Sequence, residues 1–183
     1  AEKKERGKSV AYAGKLVEAF GVKRLIEAFE MIDDQEATLH ICGGGELKPY
    51  VEETCKIDNR IRYYGVVPAE KANEILQNAD VLVNPRQNDD EYTKYSFPSK
   101  NIEYLMTGNA VVAYMLDGMP DEYRGLLQVP GNNSVAALAE AIRAALTDEN
   151  SEQRKRQVQI SRTHLYYTAV AEQICGLLNG LSH

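Results

Sequence analysis

Short apolar runs alternate with stretches whose apolar residues recur every three or four positions, and this alternation organises most of the chain. Ser9-Val10-Ala11-Tyr12-Ala13 reads as a strand, and residues 22–31, with Leu25, Ile26 and Phe29 on one face, read as a helix. Thr38-Leu39-His40-Ile41-Cys42 predicts a second strand closed by Gly43-Gly44-Gly45, with a helix over 46–57 after it. A third strand over 60–64, a helix over 68–78 opened by proline, and a fourth strand over 80–84 ended by Pro85 follow. Beyond these come a helix from Pro98, a fifth strand over 110–114 and a weak sixth strand over 126–129. Helices over 134–146 and 153–178 complete the pattern, the latter long enough to break. Regular alternation of strand and helix favours right-handed βαβ units, so the expected fold class is α/β, a doubly wound parallel sheet of about six strands.

The 183 residues suit one or at most two globular units, within the usual size of a single α/β domain and enough for a sizeable core. With 44% hydrophobic and 26% charged residues, and no apolar run approaching the roughly 18–20 residues of a membrane span, a globular cytoplasmic protein is expected. Residues 1–8 are charged and lack an apolar segment, which suits a linker or chain edge and not a targeting signal. A net charge of −6 opposes a nucleic-acid-binding face, and the run Arg154-Lys155-Arg156-Gln157 reads as a solvated helix surface. Cys42, Cys55 and Cys175 are widely spaced, which argues against a disulfide framework or structural zinc; Cys42 lies in an apolar strand and is expected in the core.

The most informative stretch is Tyr95-Ser96-Phe97-Pro98-Ser99-Lys100-Asn101-Ile102-Glu103-Tyr104-Leu105-Met106. Pro98 suits the first position of a helix, leaving the N–H groups of Ser99, Lys100 and Asn101 free to meet an anion, with Lys100 in the first turn. Glu103 falls three residues on, near the same face; the two are equally compatible with an ordinary surface pair. In a doubly wound sheet, ligands bind beyond the carboxyl ends of the strands. Gly14-Lys15-Leu16, the Gly43-Gly44-Gly45 triplet, Gly65-Val66-Val67 and Pro85-Arg86-Gln87-Asn88 all fall there. Gly65 alone is what a turn needs, whereas Lys15, directly after a strand-end glycine, stands over the crevice floor. Neither a dinucleotide fingerprint nor a P-loop is present: the first turn reads Ala13-Gly14-Lys15-Leu16-Val17-Glu18, and no Gly-Lys-Ser/Thr follows the glycine triplet.

Gly14-Lys15-Leu16 with Gly21-Val22 and Leu25-Ile26-Glu27-Ala28-Phe29 resembles the start of the carboxy-terminal domain of GT-B glycosyltransferases of family 4, or group 1. Further matches are His40-Ile41-Cys42-Gly43-Gly44-Gly45-Glu46-Leu47, Arg62-Tyr63-Tyr64-Gly65-Val66-Val67, Asn78-Ala79-Asp80-Val81-Leu82-Val83-Asn84-Pro85 and the Pro98-Ser99-Lys100 helix with Glu103-Tyr104-Leu105. The resemblance covers roughly residues 9–150, and the Pro-Ser-Lys form is similar to bacterial members that build capsular and other surface polysaccharides.

That resemblance implies a nucleotide diphosphate sugar as donor, no cofactor and no metal, and retention of anomeric configuration. By carry-over, Gly14 and Lys15 meet the diphosphate, the backbone near Val66 meets the base, and Glu103 holds the ribose hydroxyls; Pro98, Ser99 and Lys100 supply the anion-binding helix start. Two positions depart from the family: its first motif glutamate falls on Tyr95 and its second diphosphate lysine on Phe20, so Lys100 is expected to supply the missing cation. The implied division is a linker over 1–8, a donor-binding domain over 9–150 and a helical segment over 151–183 packing back on it. An amino-terminal domain would hold a saccharide or lipid-linked acceptor, leaving this half unable to turn over alone and the full protein free to associate peripherally with a membrane. Asp117-Gly118-Met119-Pro120-Asp121-Glu122-Tyr123 reads as a turn, His40 and His164 as packed or surface residues, and Tyr166 and Tyr167 as docking positions for that domain. Two other classes stay open: a sugar-nucleotide epimerase of related architecture, which needs cleft carboxylates and a histidine, and a flavodoxin-like interaction module, which needs acids after the early strands.

Overall fold

The computed structural model describes residues 8–87, 99–115, 123, 125–147, 156–159 and 162. Five strands, β1 (Ser9–Ala13), β2 (Thr38–Cys42), β3 (Ile61–Tyr63), β4 (Val81–Asn84) and β5 (Ala110–Ala113), form one sheet in the order β3-β2-β1-β4-β5. All pairings are parallel, with β1 at the centre registered Val10 to Leu39 on one side and Val10 to Val81 on the other. The helices are α1 (Val22–Glu30), α2 (Lys48–Ile57), α3 (Ala69–Asn78), α4 (Ser99–Met106) and α5 (Val135–Thr147), with a 3-10 turn over Glu18–Phe20.

Strand alternation sorts the side chains into two cores. Val10, Tyr12, Leu39, Ile41, Val81, Val83 and Val112 point to a face covered by α1 and α5, whose own Leu25, Ile26, Phe29, Leu138 and Ile142 are buried against them. Ala11, Leu82, Val111 and Ala113 point the other way, beneath Leu76 of α3 and Tyr104 and Leu105 of α4. Sheets covered on both faces by crossover helices produce the continuous apolar runs seen in β4 and β5, where every residue is buried. The chain reverses its winding between β1 and β4, and that reversal opens the crevice in which such sheets take ligands.

The sixth strand expected over 126–129 does not form. Only Gln128 bridges Val112. The Leu126 N–H bonds back to the Tyr123 carbonyl at 2.9 Å, a turn, and Pro130 has no N–H to continue a ladder. The apolarity of Leu126 and Leu127 reflects burial against the second core, not strand pairing. Pro98, most of the turn at 117–123, the tyrosines at 166 and 167, and most of the helix expected over 153–178 lie outside the described residues; within that last segment, residues 156–159 are helical and the buried Gln157 side chain donates to the Leu126 carbonyl.

Candidate functional site

Beyond the last ladder residues, the β1 and β2 loops continue to pair. Gly14 N–H donates to the Cys42 carbonyl at 3.0 Å, Leu16 N–H to the Gly44 carbonyl at 3.0 Å, and Gly43 N–H to the Gly65 carbonyl at 2.8 Å. Glycine is required at 43: φ is +133°, and a Cβ there would stand 1.8 Å from the Gly14 carbonyl oxygen. The Tyr12 hydroxyl donates to the Lys15 carbonyl at 2.9 Å and holds the loop down. This extended pairing uses alternate amides, so no acceptor among the described residues takes the N–H of Lys15 or Gly44. Together with Val66 and Val67, these glycines and Lys15 line a groove of about 330 Å³. Lys15 is exposed, and Val66 is 81% exposed.

Lys100 reaches this rim from the other side. Its ammonium donates to the Ala13 carbonyl at 2.6 Å and lies 4.8 Å from the centroid of the Tyr12 ring. A Cβ on Gly14 would fall 2.0 Å from Lys100 Nζ, so the absent side chain at 14 is what lets the cation in. Two further bonds lock α4 in place: the buried Tyr104 hydroxyl accepts the Ala13 N–H at 3.0 Å, and Asn84 Nδ2 donates to the buried Asn101 Oδ1 at 2.6 Å. Burial pulls the Lys100 pKa below the usual lysine value, Glu103 opposes that shift, and Arg86 adds to it. Burial likewise drives the Tyr12 and Tyr104 phenols up, so both stay protonated near neutrality and serve as neutral hydrogen-bonding groups.

Gly14, Lys15 and Val66 therefore share one groove, and Lys100 adjoins it through Gly14. Glu103 is not brought into that groove. It is exposed, one helical turn along from Lys100, and borders a separate hollow of about 500 Å³ with Asn73, Leu76, Gln77, Met106 and Thr107. The reason is rotation along α4: Ile102, Tyr104 and Leu105 must face the core, which turns position 103 outward toward the seam with α3. Ser99 opens α4, and Pro98 lies outside the described residues. Tyr12, Tyr104 and Asn101 were not singled out by the sequence, although Tyr104 follows Lys100 by four positions and so shares its face. Phe20 carries the Arg86 guanidinium on its ring, a contact between segments far apart in sequence. Among the described residues, no cluster of three His, Cys, Asp or Glu side chains could hold a metal ion.

The profile of the family described as Glycosyl transferases group 1 matches residues 7–148. Comparison with curated proteins finds no match. Among solved structures, TarM of S. aureus is similar over 98% of this chain and 36% of its own, with 16% identity and a TM-score of 0.72. Anabaena HepE in complex with UDP is similar over 96% of this chain and 49% of its own, with 17% identity and a TM-score of 0.73. The catalytic domain of the cholesterol-alpha-glucosyltransferase from Helicobacter pylori is similar over 85% of this chain and 98% of its own, with 16% identity and a TM-score of 0.69. The fold is thus that of a Rossmann-like GT-B half, and the chain spans between a third and a half of the lengths of TarM and HepE.

Proposed function

The chain belongs to the group 1 glycosyl transferases, and we propose that its glycine groove holds the diphosphate of a nucleotide sugar during glycosyl transfer. One observation carries this reading: the amides of Lys15 and Gly44, which no acceptor among the described residues takes, line the same groove as the Lys15 side chain, beside Gly43, where no side chain fits. Breaking a glycosyl–phosphate bond leaves charge on the departing diphosphate. Amides fixed by the β1–β2 pairing, with lysines beside them, stabilise that charge with little reorganisation when it develops. A half-buried Lys100 strengthens the effect, because a cation partly removed from water interacts more strongly with an arriving anion.

UDP is the nucleotide we assign, supported by the similarity to HepE, whose structure contains UDP. In this reading the base lies along the exposed Val66 backbone; the ribose contact carried over to Glu103 is not part of it, because that exposed side chain borders a separate hollow beside α3. Transfer with retention and an acceptor held on an amino-terminal domain are what the family resemblance implies, and the similarity of the Pro-Ser-Lys stretch to bacterial members supports a growing surface or capsular polysaccharide as acceptor. Calorimetry with UDP, GDP, ADP, CDP and uridine tests the reading. UDP should bind, and uridine far more weakly; equal heats for UDP and uridine, or none for any diphosphate, would overturn it.

A further inference from the structure

The seam between α3 and α4 carries the hollow of about 500 Å³ lined by Asn73, Leu76, Gln77, Glu103, Met106 and Thr107, none of which lines the glycine groove. Its size falls within the roughly 300–1,000 Å³ of small-molecule sites. Asn73 and Gln77 stand four positions apart on α3, and Glu103 and Met106 three apart on α4 with Thr107 directly after it, so two helix faces meet across the hollow. Asn109 ties the two sides together. Its Nδ2 donates to the Leu76 carbonyl at 3.0 Å and the Gln77 carbonyl at 3.3 Å, while its backbone N–H donates to Thr107 Oγ1 at 3.1 Å. Among the described residues, the side chains of Asn73, Gln77 and Glu103 have no hydrogen-bond or ion-pair partner in the protein. Buried Leu76 and the 37% exposed Met106 add an apolar surface between them.

The lining selects its ligand by charge. It holds no lysine or arginine, so an anion would meet the Glu103 carboxylate uncompensated, and one carboxylate is too few to hold a metal ion. Two carboxamides supply both donors and acceptors, and the carboxylate supplies two acceptor oxygens. Paired hydroxyls answer that set, and the C–H face of a sugar ring suits Leu76 and Met106. We propose that the α3–α4 hollow is a subsite for a neutral saccharide, with Asn73, Gln77 and Glu103 binding its hydroxyls. Its role, to hold a sugar unit of the glycan acceptor away from the reacting end, rests on the glycosyl-transfer reading above; the binding itself does not. A chain anchored there returns its reacting end at a raised effective concentration.

The test is an NMR titration of the full chain with maltotriose, cellotriose and chitotriose as neutral probes, trigalacturonate as an anionic one, and UDP as a separate titrant. At least one neutral probe should shift the Asn73 and Gln77 side-chain amide signals and the Met106 methyl signal, and trigalacturonate should bind more weakly. Glu103→Ala, at an exposed position, should weaken that probe about tenfold with the melt unchanged, the scale of one charge-assisted bond. Gln77→Ala, also exposed, should weaken it about threefold and decides the matter if Glu103→Ala does not fold. No shift at these signals with any neutral probe, full affinity in the deciding variant, or trigalacturonate bound as tightly as the neutral probes overturns the subsite. UDP shifts at the Lys15 and Gly44 amides would still uphold the donor reading in those cases, and their absence beside intact saccharide binding overturns the donor reading alone.

Discussion

Alanine at two neighbouring glycines separates the mechanical role of the β2 loop from its binding role. At Gly43, φ is +133° and a Cβ would meet the Gly14 carbonyl oxygen at 1.8 Å, so Gly43→Ala must both change its backbone and push the β1 loop away. A residue held in such a region costs about 1–3 kcal/mol. Separating the loops weakens the bonds from Gly14 to Cys42 and from Gly43 to Gly65, at about 0.5–1.5 kcal/mol each. A loss of about 3 kcal/mol translates to a melting temperature lower by about 6–12 °C for a chain of this size. Gly44 lacks the unusual φ, and its Cβ would touch only the end of the Val66 side chain, at 2.8 Å. Val66 is 81% exposed and can turn aside, so Gly44→Ala should cost less than about 1 kcal/mol, yet it narrows the groove beside a free amide and should weaken UDP binding about tenfold. Circular dichroism melts and calorimetry on both variants measure these effects. A Gly43→Ala melt within 2 °C of wild type, about the shift for half a kcal/mol, or a Gly44→Ala melt as low as that of Gly43→Ala, refutes the reasoning.

Lys15→Ala removes an exposed cation, so the melting temperature should hold while UDP affinity drops about tenfold, the value of a charge-assisted bond; unaltered affinity in calorimetry counts against Lys15. Tyr104→Phe deprives the Ala13 N–H of its acceptor and should lower stability by about 1–3 kcal/mol in urea titrations, with Ala13 showing faster amide exchange; an unchanged Ala13 amide would contradict that bond. Glu103→Gln should leave both the melt and UDP affinity unchanged, because its exposed side chain borders only the hollow beside α3; a loss of UDP affinity in calorimetry would show that the carboxylate reaches the nucleotide. His40 bonds Thr38 Oγ1 and the Tyr64 hydroxyl, and burial, then Arg62, holds its pKa below the ordinary 6.5. The unfolded chain therefore binds more protons in the window just under 6.5, so stability contributed by neutral His40 is present above that value and falls as the pH drops through the window. Urea midpoints from pH 7.5 to 5 should show this loss in wild type and less of it in His40→Gln; parallel curves would reject it.

The elements were legible where burial on both sides left unbroken apolar runs, as in Val81-Leu82-Val83, and where spacing marked one helix face, as with Leu25, Ile26 and Phe29. Leu126 and Leu127 misled because apolarity records burial, whereas strand pairing depends on which amides are free, and the turn from Tyr123 and the proline at 130 settle that. At the site, Gly14 and Lys15 announced themselves by position after the first strand. The closure of the Lys100 ammonium onto Ala13 could not be read in advance, since it joins residues 87 positions apart and depends on the missing side chain at Gly14. The outward rotation of Glu103 follows from the same helix face that buries Tyr104, so its separation from the groove is a packing consequence that i, i+3 spacing alone conceals. The Arg86 contact with Phe20 is likewise tertiary: it joins the loop after β1 to the loop after β4.

The most direct measurement is a crystal structure of the chain grown with UDP. The diphosphate is predicted to lie against the Lys15 and Gly44 amides, within hydrogen-bond reach of the Lys15 ammonium. UDP seated instead in the hollow between α3 and α4, with the glycine groove untouched, would contradict the assignment of that groove.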